Sequence, residues 1–160
     1  VAAAATAAVR AVAAASARWS FDHDSAAATA SCTTSGAARA TGLVLESMKG
    51  KLDGTSLRVP IPTGSVTDFV GNLKREVTVD EVNEAFKAAA SEGRLKGILE
   101  YSTEPLVSSD FNGNVHSSIF DAELTKVLEP GFAKILSWYD NEMGFSMRLC
   151  DVVEYMGRSL

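Results

Sequence analysis

The sequence predicts an α+β domain: a mostly antiparallel mixed sheet with helices packed on one face, behind an alanine-rich N-terminal segment. Three observations predict it. Apolar residues recur at helical spacing directly after a capping signal at Thr78. After Gly93, short strand-like runs follow one another without a helix between them, which favours antiparallel pairing. The chain holds no internal repeat and no Gly-rich dinucleotide fingerprint.

Two regions are expected: residues 1–30 as an alanine-rich segment and residues 31–160 as the folded domain. Residues 1–30 hold fifteen alanines, and Arg10 and Arg18 precede the first acid. A targeting peptide, an appended helix or a poorly identified stretch of chain all fit that composition. In "WSFDHDS" His23 lies between two aspartates, a pattern far commoner in solvated polar turns than in acid–base or metal sites. "TTSGAARATGLVLESMKG" reads as a helix capped by Thr34 or Ser35, with Leu43, Val44 and Met48 as its apolar face. Gly50 and Gly54 end it. Pro60 and Pro62 forbid helix and mark an edge or bend, before a strand carrying Val66, Thr67, Phe69 and Val70.

Thr78 and Glu81 then have capping-box spacing, and Val82, Ala85, Phe86 and Ala89 share one helix face. "KGILEYS", "PLVSSDF", "SSIFDAE", "TKVLE" and "FAKILSWYD" read as strands. "NEMGFSMRLCDVVEYMGR" closes as a helix capped by Asp140 or Asn141, with Leu149, Val152, Val153 and Met156 on one face and Cys150 packed beside it.

Composition narrows the function classes. A formal charge of -5 argues against nucleic acid as partner. No run of about eighteen apolar residues is present to span a membrane. Cys32 and Cys150, far apart, are no disulfide framework and suit a reducing compartment. The expected location is cytoplasmic, or a plastid or other organelle if residues 1–20 are a transit peptide. No metal site is expected.

Three stretches are familiar together: "KGKLDG" with "LRVPIPTGSVTD", "KGILEYSTEPLVSSDFNGNVHSSIFDA", and "KILSWYDNEMGFSMRLCDVVEYM". In this order, over about Thr33 to Gly157, they closely resemble the catalytic domain of phosphorylating glyceraldehyde-3-phosphate dehydrogenases. The resemblance implies an oxidoreductase that turns an aldehyde into an acyl phosphate through a cysteine thioester, with NAD or NADP as hydride acceptor. It implies glyceraldehyde 3-phosphate and inorganic phosphate as substrates and a homo-oligomer or partner chain. Sulfur suits that chemistry because a thiolate is a strong nucleophile and a thioester an activated acyl group.

Carried over by position, Arg58 matches the family's anion-binding arginine, whose guanidinium fork fits phosphate oxygens. Ser35 and Gly36 match its phosphate-holding turn, and Arg39 stands for the usual lysine. Asn141 matches the asparagine that bonds the nicotinamide carboxamide. Met143 replaces a tryptophan in that motif, and Phe145 stands in a tyrosine position. Ser31, Cys32 and Thr33 spell the nucleophile motif, with Cys32 as the catalytic thiol.

The family separates the nucleophile motif from the phosphate turn by several tens of residues. Here "SCTT" and "TTSGAAR" are fused. One backbone segment cannot fill both positions, and ungapped spacing from Gly36 to Arg58 favours the phosphate turn. The stretch expected to carry the catalytic histidine is missing between them, as is the Rossmann half, so the chain reads as truncated. His116 matches an ordinary family position with a structural hydrogen-bonding role. The alternative reading is a catalytically silent domain that binds anions or a partner protein.

Overall fold

Thr78 sets the start of the best-formed helix. Its Oγ1 accepts from the Glu81 amide at 3.2 Å while Glu81 Oε2 accepts from the Thr78 amide at 2.9 Å, so two orphan helix donors are satisfied reciprocally. Hydrogen bonding to Thr78 and the Arg75 guanidinium hold the Glu81 carboxyl below the usual carboxylate range. In the computed structural model the described residues are 36–53, 61–129 and 131–158.

Their element order is α1 (Gly36–Val44), β1 (Ser65–Asn72), α2 (Val79–Ser91), β2 (Leu99–Ser102), β3 (Ser118–Glu129), β4 (Phe132–Tyr139) and α3 (Met143–Gly157). The strands form one sheet in the order β1-β4-β3-β2. β4 runs antiparallel to both β1 and β3, and β2 runs parallel to β3. This is the expected mixed, mostly antiparallel sheet. The single parallel pair arises because β2 is reached through the helix α2 and left through a long loop, not a hairpin.

Alternation builds the core. Thr67, Phe69 and Gly71 of β1 and Ala133, Ile135, Ser137 and Tyr139 of β4 face inward at every second residue. Phe69 pairs with Ile135 across the ladder. α2 lays Val82 and Phe86 onto this face as its spacing predicted, with Ala85 and Ala89 at the margin. Phe86 stacks on Phe120 of β3, ring centroids 4.0 Å apart and 9° from parallel. Asn83 Nδ2 donates to the Ala122 carbonyl at 3.2 Å, pinning the helix along the strand. On the other face Phe111 stacks on Trp138, whose indole N–H donates to Asp121 at 3.0 Å.

Pro62 lies before β1, an edge strand, where a missing backbone donor is tolerated. The β3–β4 hairpin turns at Gly131, with φ of 84°. A Cβ there would lie 2.8 Å from the Leu73 carbonyl oxygen, so the position requires glycine on two counts.

Four expectations change. "PLVSSDF" is no strand: Asp110 Oδ2 accepts from the Val107 amide at 2.8 Å, and this local bond closes a tight helical turn at Ser108–Phe111. "SSIFDAE" and "TKVLE" are a single strand, β3, whose register against β4 shifts between Asp121 and Lys126. α1 buries Thr41 rather than Leu43, which is 83% exposed, or Val44; Met48 alone of the predicted face reaches the core, from the turn after the helix. The α3 face of Leu149, Val152, Val153 and Met156 is exposed, and Cys150 is an exposed free thiol rather than a packed one. α3 rests on the loop before β3 through its first turn, at Gly144, and through Arg148, which bonds Ser117. Nothing among the described residues covers its other side.

Candidate functional site

β4 ends at Tyr139, and the chain turns at once into α3. Asp140 governs that turn. It is 6% exposed, and its Oδ1 accepts from the amides of Glu142 and Met143, both at 2.9 Å. Its Oδ2 accepts from the Gly113 amide at 2.8 Å, and its own carbonyl accepts from Gly144 at 3.0 Å. Burial pushes the Asp140 carboxyl up, but three backbone N–H groups bonding its charged form outweigh that, and it titrates below the ordinary aspartate value. Of the two caps the sequence offered, the structure uses Asp140.

That leaves Asn141 free to point away from the helix. It is half-buried beside the start of β1, and Ser65 Oγ donates to its Oδ1 at 3.5 Å. The contact follows from sheet register, because Ser65 is the ladder partner of Tyr139. Just before Ser65, Gly64 has φ of 93° and lies close to the Ser108 carbonyl, so the Thr63–Ser65 turn packs on the 108–112 turn. The first residues of β1, the end of β4 and the 108–116 loop thus meet at one end of the sheet, with Asn141 among them. Its Nδ2 makes no hydrogen bond to another described residue.

A second polar cluster braces the same loop. Asn114 Nδ2 donates to Glu100 Oε2 at 2.8 Å. His116 Nδ1 lies 2.8 Å from that carboxylate oxygen and 2.9 Å from Asn114 Oδ1. This network assigns the proton to Nδ1. His116 is therefore engaged in holding the loop to β2, the structural role its position suggested.

Of the sequence-predicted site residues, Asn141 is placed as described and Gly36 opens α1. Ser31, Cys32, Thr33, Ser35 and Arg58 lie outside the described residues, as do His23 and the alanine-rich segment. Among the described residues no group of three or more His, Cys, Asp or Glu side chains could hold a metal, and no helix is long and apolar enough to cross a membrane. Sequence reasoning missed Ser65 and Gly113. Ser65 is 76 residues from Asn141, and only strand register joins them. Gly113 acts through its backbone amide, which carries no residue-type signal.

Residues 2–141 match the family described as glyceraldehyde 3-phosphate dehydrogenase, C-terminal domain. The chain belongs to this family. Similar curated proteins include the glyceraldehyde-3-phosphate dehydrogenase of Mycobacterium avium, 60% identical over 128 residues, which are 80% of this chain and 37% of that protein. The Mycobacterium tuberculosis (strain H37Rv) protein is 61% identical over the same shares of each chain. That of Streptomyces coelicolor is 58% identical over 128 residues, 80% of this chain and 38% of its own. The chain thus spans well under half the length of these dehydrogenases.

Proposed function

We propose that this chain supplies the catalytic-domain part of a phosphorylating glyceraldehyde-3-phosphate dehydrogenase. The observation that carries the proposal is Asn141, held by a locked turn at the end of the sheet with an amide that can both donate and accept. The family relation over residues 2–141 supports it. That donor set fits the carboxamide of a nicotinamide, and Asn141 would hold it there. A nicotinamide dinucleotide, NAD or NADP, supplies a hydride acceptor when bound.

In this reading Arg58, Ser35 and Gly36 bind the phosphate groups of glyceraldehyde 3-phosphate and of inorganic phosphate. The reading requires the chain to double back between Cys32 and Ser35, so that Ser31 and Thr33 flank a Cys32 thiolate that adds to the aldehyde carbon while Ser35 and Gly36 keep the phosphate turn. Loss of hydride from that adduct leaves a thioester. Inorganic phosphate then attacks the thioester carbon, the thiolate leaves, and the product is an acyl phosphate. His116 takes no part, because Glu100 and Asn114 occupy it. The active assembly is a homo-oligomer or includes a partner chain.

The exposed apolar side of α3 favours a second reading, a catalytically silent domain that binds anions or a partner protein. One assay separates the two. Purified chain is given glyceraldehyde 3-phosphate, inorganic phosphate and NAD, and NADH is followed by absorbance before and after alkylation of thiols. NADH formation that is lost on carboxamidomethylation of a Cys150→Ser variant, whose one remaining thiol is Cys32, supports the dehydrogenase. No NADH, with phosphate or a partner still bound, selects the silent domain.

A further inference from the structure

We infer that Asp140 is a positioning residue for Asn141, acting by tying the β4–α3 turn to the 108–116 loop through the Gly113 amide. The inference deepens the proposed nicotinamide role of Asn141 and rests on it for its functional consequence.

Capping α3 requires one acceptor oxygen, and Oδ1 fills that need with the amides of Glu142 and Met143. The second oxygen does something else: Oδ2 reaches 27 residues back to Gly113 at 2.8 Å. Serine or asparagine caps a helix as well as aspartate. Only a carboxylate accepts N–H donors on both oxygens at once, since an asparagine would present an NH2 group to the Gly113 N–H. The residue type is thus demanded by the tether rather than by the cap.

The tether has a fixed far end. Gly113 precedes Asn114, which bonds Glu100 on β2 and His116 on the loop. α3 lies against this loop as well, with the Gly144 Cα near enough to the His116 carbonyl that a Cβ would lie 3.1 Å from its oxygen. Asn141 therefore stands between two anchors: Ser65 on β1 and the Gly113 loop braced on β2. Small shifts of a ligand-orienting group are expensive for reactivity, because hydride transfer needs close, aligned partners. A buried carboxylate bonded on both sides fixes the turn that carries the asparagine.

The test uses the isotope-labelled 160-residue chain and nuclear magnetic resonance. Asp140→Asn and Asp140→Ser both keep a cap oxygen but lose the acceptor for Gly113. The expected result is that the amides of Glu142 and Met143 hold their wild-type positions. The Gly113 amide proton moves upfield, as loss of a charge-assisted bond requires, and the Asn141 side-chain NH2 signals shift or broaden. With NAD as probe, the variants should need about tenfold more ligand to shift those signals, the size of one lost bond to a charged group. Asn141 NH2 signals unchanged in both free variants would overturn the positioning role. If NAD does not move the Asn141 signals of the wild-type chain, the nicotinamide reading fails, while the variants still decide the tether. Should both variants unfold, scalar coupling across the hydrogen bond from the Gly113 nitrogen to the Asp140 carboxyl carbon reads the tether in the wild-type chain. Its presence supports the inference and its absence overturns it.

Discussion

Replacing Gly131 by alanine tests how the sheet is closed. Two penalties add at this position. Its φ of 84° is left-handed, which for a residue with a Cβ costs roughly 1–2 kcal/mol. The new Cβ would also lie 2.8 Å from the Leu73 carbonyl oxygen, a backbone atom that cannot swing aside. Relieving that contact by shifting backbone costs roughly 1–3 kcal/mol and strains the 2.6 Å bond from the Leu73 amide to the Gly131 carbonyl. Alanine also restricts the unfolded chain, which returns about 0.5 kcal/mol. The net expectation is a loss of about 3 kcal/mol. Gly93 supplies the control, since its φ is 71° but nothing lies within 4 Å of its would-be Cβ. Gly93→Ala should therefore lose only about 1 kcal/mol, the conformational part alone. Urea unfolding of both variants, with slopes compared to confirm that the unfolded state is unchanged, gives the two numbers. Equal losses for Gly131→Ala and Gly93→Ala would refute the reasoning, because the contact with Leu73 would then carry no weight.

Further outcomes follow from the same geometry. Phe86→Ala removes a ring that is 1% exposed and stacked on Phe120, and should lose about 3–5 kcal/mol in urea unfolding. Thr78→Ala removes the acceptor for the Glu81 amide and should cost about 1 kcal/mol, read as a lower thermal midpoint with α2 signals fraying first. The Asp140 carboxyl titrates below the ordinary aspartate value, so its contribution is complete above that ordinary value and is lost as pH falls through the lower folded-state value. Acid unfolding of Asp140→Asn should accordingly show a shallower loss of stability below pH 3.8 than wild type; identical acid limbs would contradict the assignment.

Much of the fold was legible locally. The capping box at Thr78 and the spacing of Val82 and Phe86 are short-range patterns, and α2 formed where they pointed. Alternation in β1 and β4 was legible for the same reason. The failures have physical causes. "PLVSSDF" has the apolar start of a strand, but Asp110 bonds the Val107 amide locally and the backbone never reaches the ladder. Leu43, Val44 and the Leu149–Met156 side of α3 have the periodicity of buried faces without being covered by any described residue. Periodicity says that a helix has an apolar side, not what meets it.

The candidate site divides in the same way. Asn141 was legible because "SWYDNE" is a specific string, and Asp140 was visible as a cap beside it. Ser65 and Gly113 were not. The sequence alone determined the family resemblance, the start of α2 and the strand alternation of β1 and β4. Only the tertiary structure decided that Asp140 rather than Asn141 caps α3, that its second oxygen reaches Gly113, and that Ser65 stands beside Asn141. Those choices belong to contacts separated by 27 and 76 residues, set by strand register and by the approach of backbone amides, neither of which is written in the identity of neighbouring residues.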